Sequence, residues 1–160
     1  GKKLNVKIKY IAEKKALGTA GSLGLLKTKN KLPIIVTNGD IYSNINFSEL
    51  LDFHLKNKAF ATVVVKQIEK TNSFGVVKAK GITFKNFVEK PIEKININTG
   101  IYVFDSNIVN FIPNEEIDMP EVLLKVKKKN KKIIIFPVHE EWIQGSWWWW
   151  LVRIPCYSLQ

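Results

Sequence analysis

An aspartate closes an unbroken apolar run. Residues 32–37, Leu-Pro-Ile-Ile-Val-Thr, lead into Asn38, Gly39 and Asp40. Such a run suits a strand buried on both faces, and open α/β sheets bind ligands at the carboxyl ends of their strands. There Asp40 would present a hard oxygen to a divalent cation, since Mg2+ takes one or two carboxylates together with substrate phosphates. Asn-Gly-Asp is also ordinary turn composition, in which the aspartate caps its own backbone. Local sequence leaves both readings open.

Two further segments could do chemistry. Leu17, Gly18, Thr19, Ala20 and Gly21 form a small-residue loop ahead of an apolar-periodic stretch, Ala20, Leu23 and Leu26. Thr19 is expected to cap a short helix there, and backbone amides near a helix start suit a phosphate or a base edge. The dinucleotide spacing G-x-G-x-x-G is absent, so these residues by themselves favour a tight strand-to-helix connection without a ligand. Glu89, Lys90 and Pro91 set a carboxylate beside an ammonium on a stiffened backbone. The pair could accept sugar hydroxyls and meet a phosphate, or be a solvated loop. His54 falls on a helical stripe and reads as a core-edge histidine. His139 stands alone among acidic residues and Trp142.

These groups need elements to hold them. Alternation over residues 6–11 predicts a strand with one wet face. Asn46 and Glu49 resemble a capping box, followed by the stripe Phe47, Leu50, Leu51, His54 and Leu55, which predicts a helix to about Lys58. Further strands are expected over residues 60–65, 75–79, 82–88, 99–104 and 133–136. Asp118, Pro120 and Glu121 predict a helix over residues 120–129. Strands alternating with helices and then following one another imply an α/β domain with a mixed sheet.

The bulk numbers narrow the function classes. A chain of 160 residues with 46% hydrophobic and 24% charged residues has a globular composition. The net charge of +11 attracts anions, but the cations are nearly all lysines, which lack the bidentate fork that reads base edges. Nucleic-acid binding therefore rests on charge alone and is not expected. The run of lysines over residues 125–132 reads as the solvated face and end of a helix. A lone Cys156 makes no internal disulfide and fits a cytoplasmic location. Residues 1–10 contain neither a signal peptide nor a membrane span. Four adjacent tryptophans, Trp147 to Trp150, point in every direction on any regular element, so residues 145–160 are expected to be a non-native tail beyond a domain over residues 1–144, with an interfacial membrane anchor as the alternative.

The order of motifs is more specific than any one of them. Tyr10-x-x-Glu13, Leu-Gly-Thr-Ala-Gly-Ser-Leu, Asn-Gly-Asp, Phe74-Gly-Val-Val, Phe87-Val-Glu-Lys-Pro and Asn98-Thr-Gly-Ile-Tyr-Val-Phe together resemble the sugar-1-phosphate nucleotidyltransferases. Mannose-1-phosphate guanylyltransferases and glucose-1-phosphate thymidylyltransferases are the nearest in pattern. The resemblance covers residues 6–142. It implies a Rossmann-like mixed, mainly parallel sheet with flanking helices, and a reaction in which an NTP and a sugar 1-phosphate give an NDP-sugar and pyrophosphate. It further implies that Glu13, Leu17, Gly18, Thr19, Ala20 and Gly21 meet the nucleobase, and that Asp40 holds Mg2+. Gly75 would let the sugar approach, Glu89 would bind its hydroxyls and Lys90 its phosphate. Asn98 and Gly100 would line the same pocket, with Asp40 and Lys90 as the catalytic pair.

The sequence departs from that pattern twice. The family's Gly-x-Gly-x-Arg-Leu loop and Pro-Lys, which cradle the triphosphate, are not in it, so a partial and inactive domain is expected. An uncovered sheet edge would then favour self-association. The family's second metal-binding aspartate, in Trp-x-Asp-x-Gly, is matched here by Trp142-Ile143-Gln144-Gly145, and Gln144 is neutral. A non-catalytic domain of the same fold, binding nucleotide or sugar phosphate, is the alternative.

Overall fold

The computed structural model describes residues 5–26 and 31–145. Its backbone is organised by one long strand. Residues Ile92–Phe104 (β6) lie between Ile34–Thr37 (β1) on one side and Ala61–Thr71 (β3) on the other, both antiparallel to it. Ile133–Val138 (β7) adds a parallel ladder outside β3, giving the order β1-β6-β3-β7. The sheet is mixed: β1, β3 and β7 share a direction, while β6 runs against them. Two short ladders accompany it, Ile41–Ser43 (β2) with Trp142–Gln144 (β8), and Val76–Lys80 (β4) with Thr83–Val88 (β5).

Alternation along the strands feeds two cores, one on each face of the sheet. Tyr102 and Phe104 of β6 join Ala61 of β3 against Ala20 and Leu23 of helix α1 (Gly18–Gly24), Ile108 of a 3-10 helix (Ser106–Phe111), and Val122 and Val126 of helix α3 (Met119–Lys128). Ile101 and Val103 point the other way, with Val64 and Val138, against Leu50 of helix α2 (Phe47–Lys56). The result is a three-layer α/β arrangement in which the second half of β6 is buried on both faces. Burying each such Val, Leu, Ile or Phe contributes about 1.5–3 kcal/mol.

Helix α2 begins as its sequence predicts. Asn46 Oδ1 accepts the amides of Ser48 and Glu49, and Asn46 Nδ2 donates to Glu49 Oε1 at 2.9 Å. Its His54 is buried rather than at the core edge, with Nδ1 2.8 Å from Thr62 Oγ1.

Several expectations are corrected. Residues 6–11 form no strand, and Val6, Ile8 and Tyr10 are exposed, because no neighbouring backbone pairs with them among the described residues. The strand before Asp40 is four residues long and alternates between half-buried and exposed, since among the described residues β1 is paired only through β6. Thr19 does not cap α1, whose N-cap is Leu17. The β2–β8 ladder and the 3-10 helix were not legible in the pattern. Of the expected tail, Gly145 is buried and donates its amide to Asp40 O at 2.8 Å; the rest lies outside the described residues.

Candidate active site

The ladder between β3 and β6 is interrupted. Val65 faces Asn98 and Val63 faces Tyr102, so one residue of β3 is opposed by Thr99, Gly100 and Ile101 of β6. Such a bulge leaves backbone groups without ladder partners, and buried ones must be satisfied elsewhere. The structure satisfies them with side chains of β6 itself and with residues from two other places, the turn after β1 and β8. Thr99 Oγ1 donates to Val64 O at 2.8 Å, and Trp142 Nε1 donates to Thr99 O at 2.9 Å. Asn98 Oδ1 accepts the amide of Gly100 at 3.1 Å, while Gly100 O accepts the amide of Asn38 at 3.0 Å. Asn98 Nδ2 also donates to the hydroxyl of Tyr102 at 2.6 Å, and burial pushes the Tyr102 hydroxyl pKa up.

The bulge thereby docks the Asn38-to-Asp40 turn and β8 onto β6. Gly100 sits at φ +76°, in the left-handed region that favours glycine. A Cβ there would fall 2.7 Å from Asn38 Nδ2 and from Ile41 Cδ1. The β2–β8 ladder sets Ile41 opposite Gln144, and Gln144 Nε2 lies 3.5 Å from Asp40 Oδ2. Asp40, Gln144, Asn98 and Gly100 therefore belong to one cluster, and the glutamine stands beside Asp40 as the motif order implied. Asn38, Thr99 and Trp142 are the residues sequence reasoning missed as members of it. Each lay inside a motif, Asn38 in Asn-Gly-Asp, Thr99 in Asn-Thr-Gly and Trp142 in Trp-x-x-Gly, but none was assigned a part of its own.

This cluster fits a divalent cation in a limited way. Among the described residues no three His, Cys, Asp or Glu side chains converge, and Asp40 supplies one carboxylate with a neutral amide beside it. That donor set matches a cation held largely by ligand phosphates.

A second group forms around Gly75. A Cβ at Gly75 would run into the Phe87 ring and lie 2.9 Å from Glu89 Oε2, so the glycine and the carboxylate are direct neighbours. Lys90 follows at φ +42° and is exposed. A cavity of about 520 Å³ lies beside them, lined by Lys70, Thr71, Asn72, Lys78, Pro91 and Glu93. From Ile92 to Asn98 the ladder with β3 spans roughly 20 Å of strand contour. Among the described residues no hydrogen bond or ion pair links Glu89 or Lys90 to the Asp40 cluster.

The third group is the start of α1: residues 18–21, expected as a loop, are its first turn, with Leu17 as N-cap. Glu13 Oε2 accepts the amide of Leu17 at 3.2 Å. Thr19 N donates to Asp118 Oδ1, Ala20 N to Ile117 O, and Gly21 N to Leu17 O. Four amides of this segment, those of Leu17, Thr19, Ala20 and Gly21, are thus engaged by protein acceptors. Among the described residues the amide of Gly18 has no such partner.

These polar groups sit on a mixed α/β sheet with flanking helices. Solved structures share the fold: HddC from Yersinia pseudotuberculosis aligns with a TM-score of 0.63 over 88% of this chain and 62% of its own, at 20% identity. A Bacillus anthracis protein assigned as a glucose-1-phosphate thymidylyltransferase aligns at 0.65, also at 20% identity, over 89% of this chain and 61% of that one.

Residues 1–142 match the Nucleotidyl transferase family, and the chain belongs to it. A mannose-1-phosphate guanyltransferase from Yarrowia lipolytica is 39% identical over 69% of this chain and 32% of its own length. A protein of the same name from Aspergillus oryzae is 31% identical over 97% of this chain and 45% of its own. The chain thus spans less than half the length of these relatives.

Proposed function

We propose that the protein carrying this chain transfers a nucleoside monophosphate from an NTP to a sugar 1-phosphate, giving an NDP-sugar and pyrophosphate. The observation that carries the reading is the docking of the Asp40 turn, Gln144 and Gly100 onto the β6 bulge. Its spatial grouping matches the order of motifs in the family. In the reaction a sugar-phosphate oxygen forms a bond to the α-phosphorus as the bond from that phosphorus to the pyrophosphate oxygen breaks. Positioning and charge offset supply most of the catalysis in such a displacement. A Mg2+ ion held by Asp40 would offset phosphate charge. Glu13 and Gly18, in the loop of Leu17, Thr19, Ala20 and Gly21, would meet the nucleobase. Gly75 would admit the sugar, Glu89 its hydroxyls and Lys90 its phosphate, with Asn98 and Gly100 bordering the pocket.

Gln144 favours a second reading, a domain that binds nucleotide or sugar phosphate without turnover, because an amide does not offset charge as a carboxylate does. Pyrophosphate release by the full-length protein separates the two. The pairs to assay are GTP with mannose 1-phosphate and dTTP with glucose 1-phosphate, each with Mg2+. Turnover with either, lowered on the order of 100-fold or more by Asp40→Asn, supports the transferase. Binding of GTP or dTTP without turnover in either pair supports the sensor.

Two lesser elements belong to the same proposal. Self-association would use the outer edge of β1, where Ile35 is 39% exposed, and a monodisperse monomer in sedimentation at micromolar concentration refutes it. Cytoplasmic placement is supported by the lone Cys156. No described helix is long and apolar enough to cross a membrane.

A further inference from the structure

Two helices of this chain start without caps of their own. Leu17, the N-cap of α1, has no capping oxygen, and Asp118, the N-cap of α3, makes no side-chain bond to its own helix. The first turn of any helix leaves amides that need acceptors. Here the two helices supply each other across 99 residues of sequence. Asp118 Oδ1 accepts the amide of Thr19 at 2.9 Å and its hydroxyl at 3.0 Å. Thr19 Oγ1 in turn accepts the amide of Met119, the first residue of α3, at 2.9 Å.

The backbones are locked together at the same place. Ala20 N donates to Ile117 O at 3.1 Å, and Ile117 N donates to Leu17 O at 3.0 Å. Gly18, at φ +73°, brings the loop so close that a Cβ would lie 2.6 Å from Ile117 O. Thr19 and Asp118 are both exposed, so the latch is not explained by burial of apolar surface. What it does is fix the conformation of the Leu17-to-Gly21 segment, the one segment of α1 that the proposed reaction uses. The pair of Thr19 bonds holds the Asp118 carboxyl below the usual carboxylate range, so it is ionised at neutral pH.

We propose that Asp118 is a positioning residue for nucleotide binding, acting through Thr19 to hold the Leu17-to-Gly21 loop in its binding shape. The inference rests on the reading of that loop as a nucleobase contact. Asp118 itself touches no substrate in this scheme. Its loss is felt as a weaker nucleotide complex, while the sugar-phosphate side and the chemical step are left in place.

The test uses the full-length protein, with steady-state kinetics and calorimetric binding of GTP and dTTP. Asp118→Ala and Thr19→Val should each raise KM for the nucleotide roughly tenfold, the effect of losing a hydrogen bond to a charged group. In Asp118→Ala, the variant of a residue that touches no substrate, KM for the sugar 1-phosphate and kcat should stay within about twofold on the same reasoning. Asp118→Asn and Thr19→Ser should restore nucleotide KM, because each keeps the oxygen that its partner uses. The double variant Thr19→Val/Asp118→Ala should be no worse than the weaker single variant.

A lower melting temperature with unchanged nucleotide KM in Asp118→Ala overturns the inference. So does an equal loss in both substrates, or a failure of Asp118→Asn to recover. Should Asp118→Ala not fold, Thr19→Val against Thr19→Ser carries the comparison. Absence of GTP and dTTP binding in the wild type sinks the functional reading and this inference together. Wild-type binding that the variants leave untouched sinks this inference alone.

Discussion

Replacing Gly100 by alanine tests whether the β6 bulge holds the Asp40 turn by close packing. Two costs add at this position. Left-handed backbone costs an L-residue about 1–2 kcal/mol, and inserting a methyl into packed surroundings costs about 1–3 kcal/mol more. The second cost arises because the new Cβ would lie 2.7 Å from Asn38 Nδ2 and Ile41 Cδ1, where ordinary contact begins near 3.4 Å. The total for Gly100→Ala is therefore about 2–5 kcal/mol.

Gly81 provides the control. It has φ +60° in the β4–β5 turn, and a Cβ there meets nothing within 4 Å, so Gly81→Ala should cost only the backbone part, about 1–2 kcal/mol. With a urea slope of about 1–3 kcal/mol per molar for a small domain, Gly100→Ala should move the unfolding midpoint roughly 1 M further than Gly81→Ala. The displaced atoms flank Asp40, so Gly100→Ala should also lower pyrophosphate release in the full-length protein, and Gly81→Ala should not. Equal midpoints for the two variants would refute the close approach, and with it the account of how β6 holds the site.

Two other measurements probe the same architecture. Burial lowers the pKa of His54 below its ordinary 6.5, partly countered by Asp105, so the unfolded chain binds the proton more readily. Stability is then fully present above about pH 6.5 and falls as pH drops from there toward the lowered folded value. Thermal melts at pH 7.5 and 5.5 should show the loss, and His54→Gln, which retains a partner for Thr62, should flatten it; an equal slope in the variant excludes His54 as the cause. Trp142→Phe removes the donor to the carbonyl of buried Thr99 and should cost about 1–3 kcal/mol in denaturant. An unchanged midpoint would show that β8 is not tied to the bulge.

Some of this protein is written in short stretches of its sequence. The capping box of Asn46 and Glu49, the proline at the start of α3 and the β-branched runs of β3 and β7 each depend on neighbours within a few residues, and they formed where the sequence placed them. The order of motifs likewise identified the family, because each motif is a local string. Residues 6–11 show the limit of such reading: their alternation describes a strand, but a strand needs a partner backbone and none is beside them among the described residues.

Tertiary structure decided the rest. The bulge at Thr99, Gly100 and Ile101 comes from a mismatch between β3 and β6, which no single segment contains. Satisfying its backbone groups draws in Asn38 and Trp142 from distant parts of the chain. The exchange of caps between Thr19 and Asp118 has the same origin. Each side chain was expected to cap its own helix, since sequence reading assigns a cap to the nearest amides. In the folded chain the nearest amides belong to another helix, and proximity in space is a property of the packed layers alone.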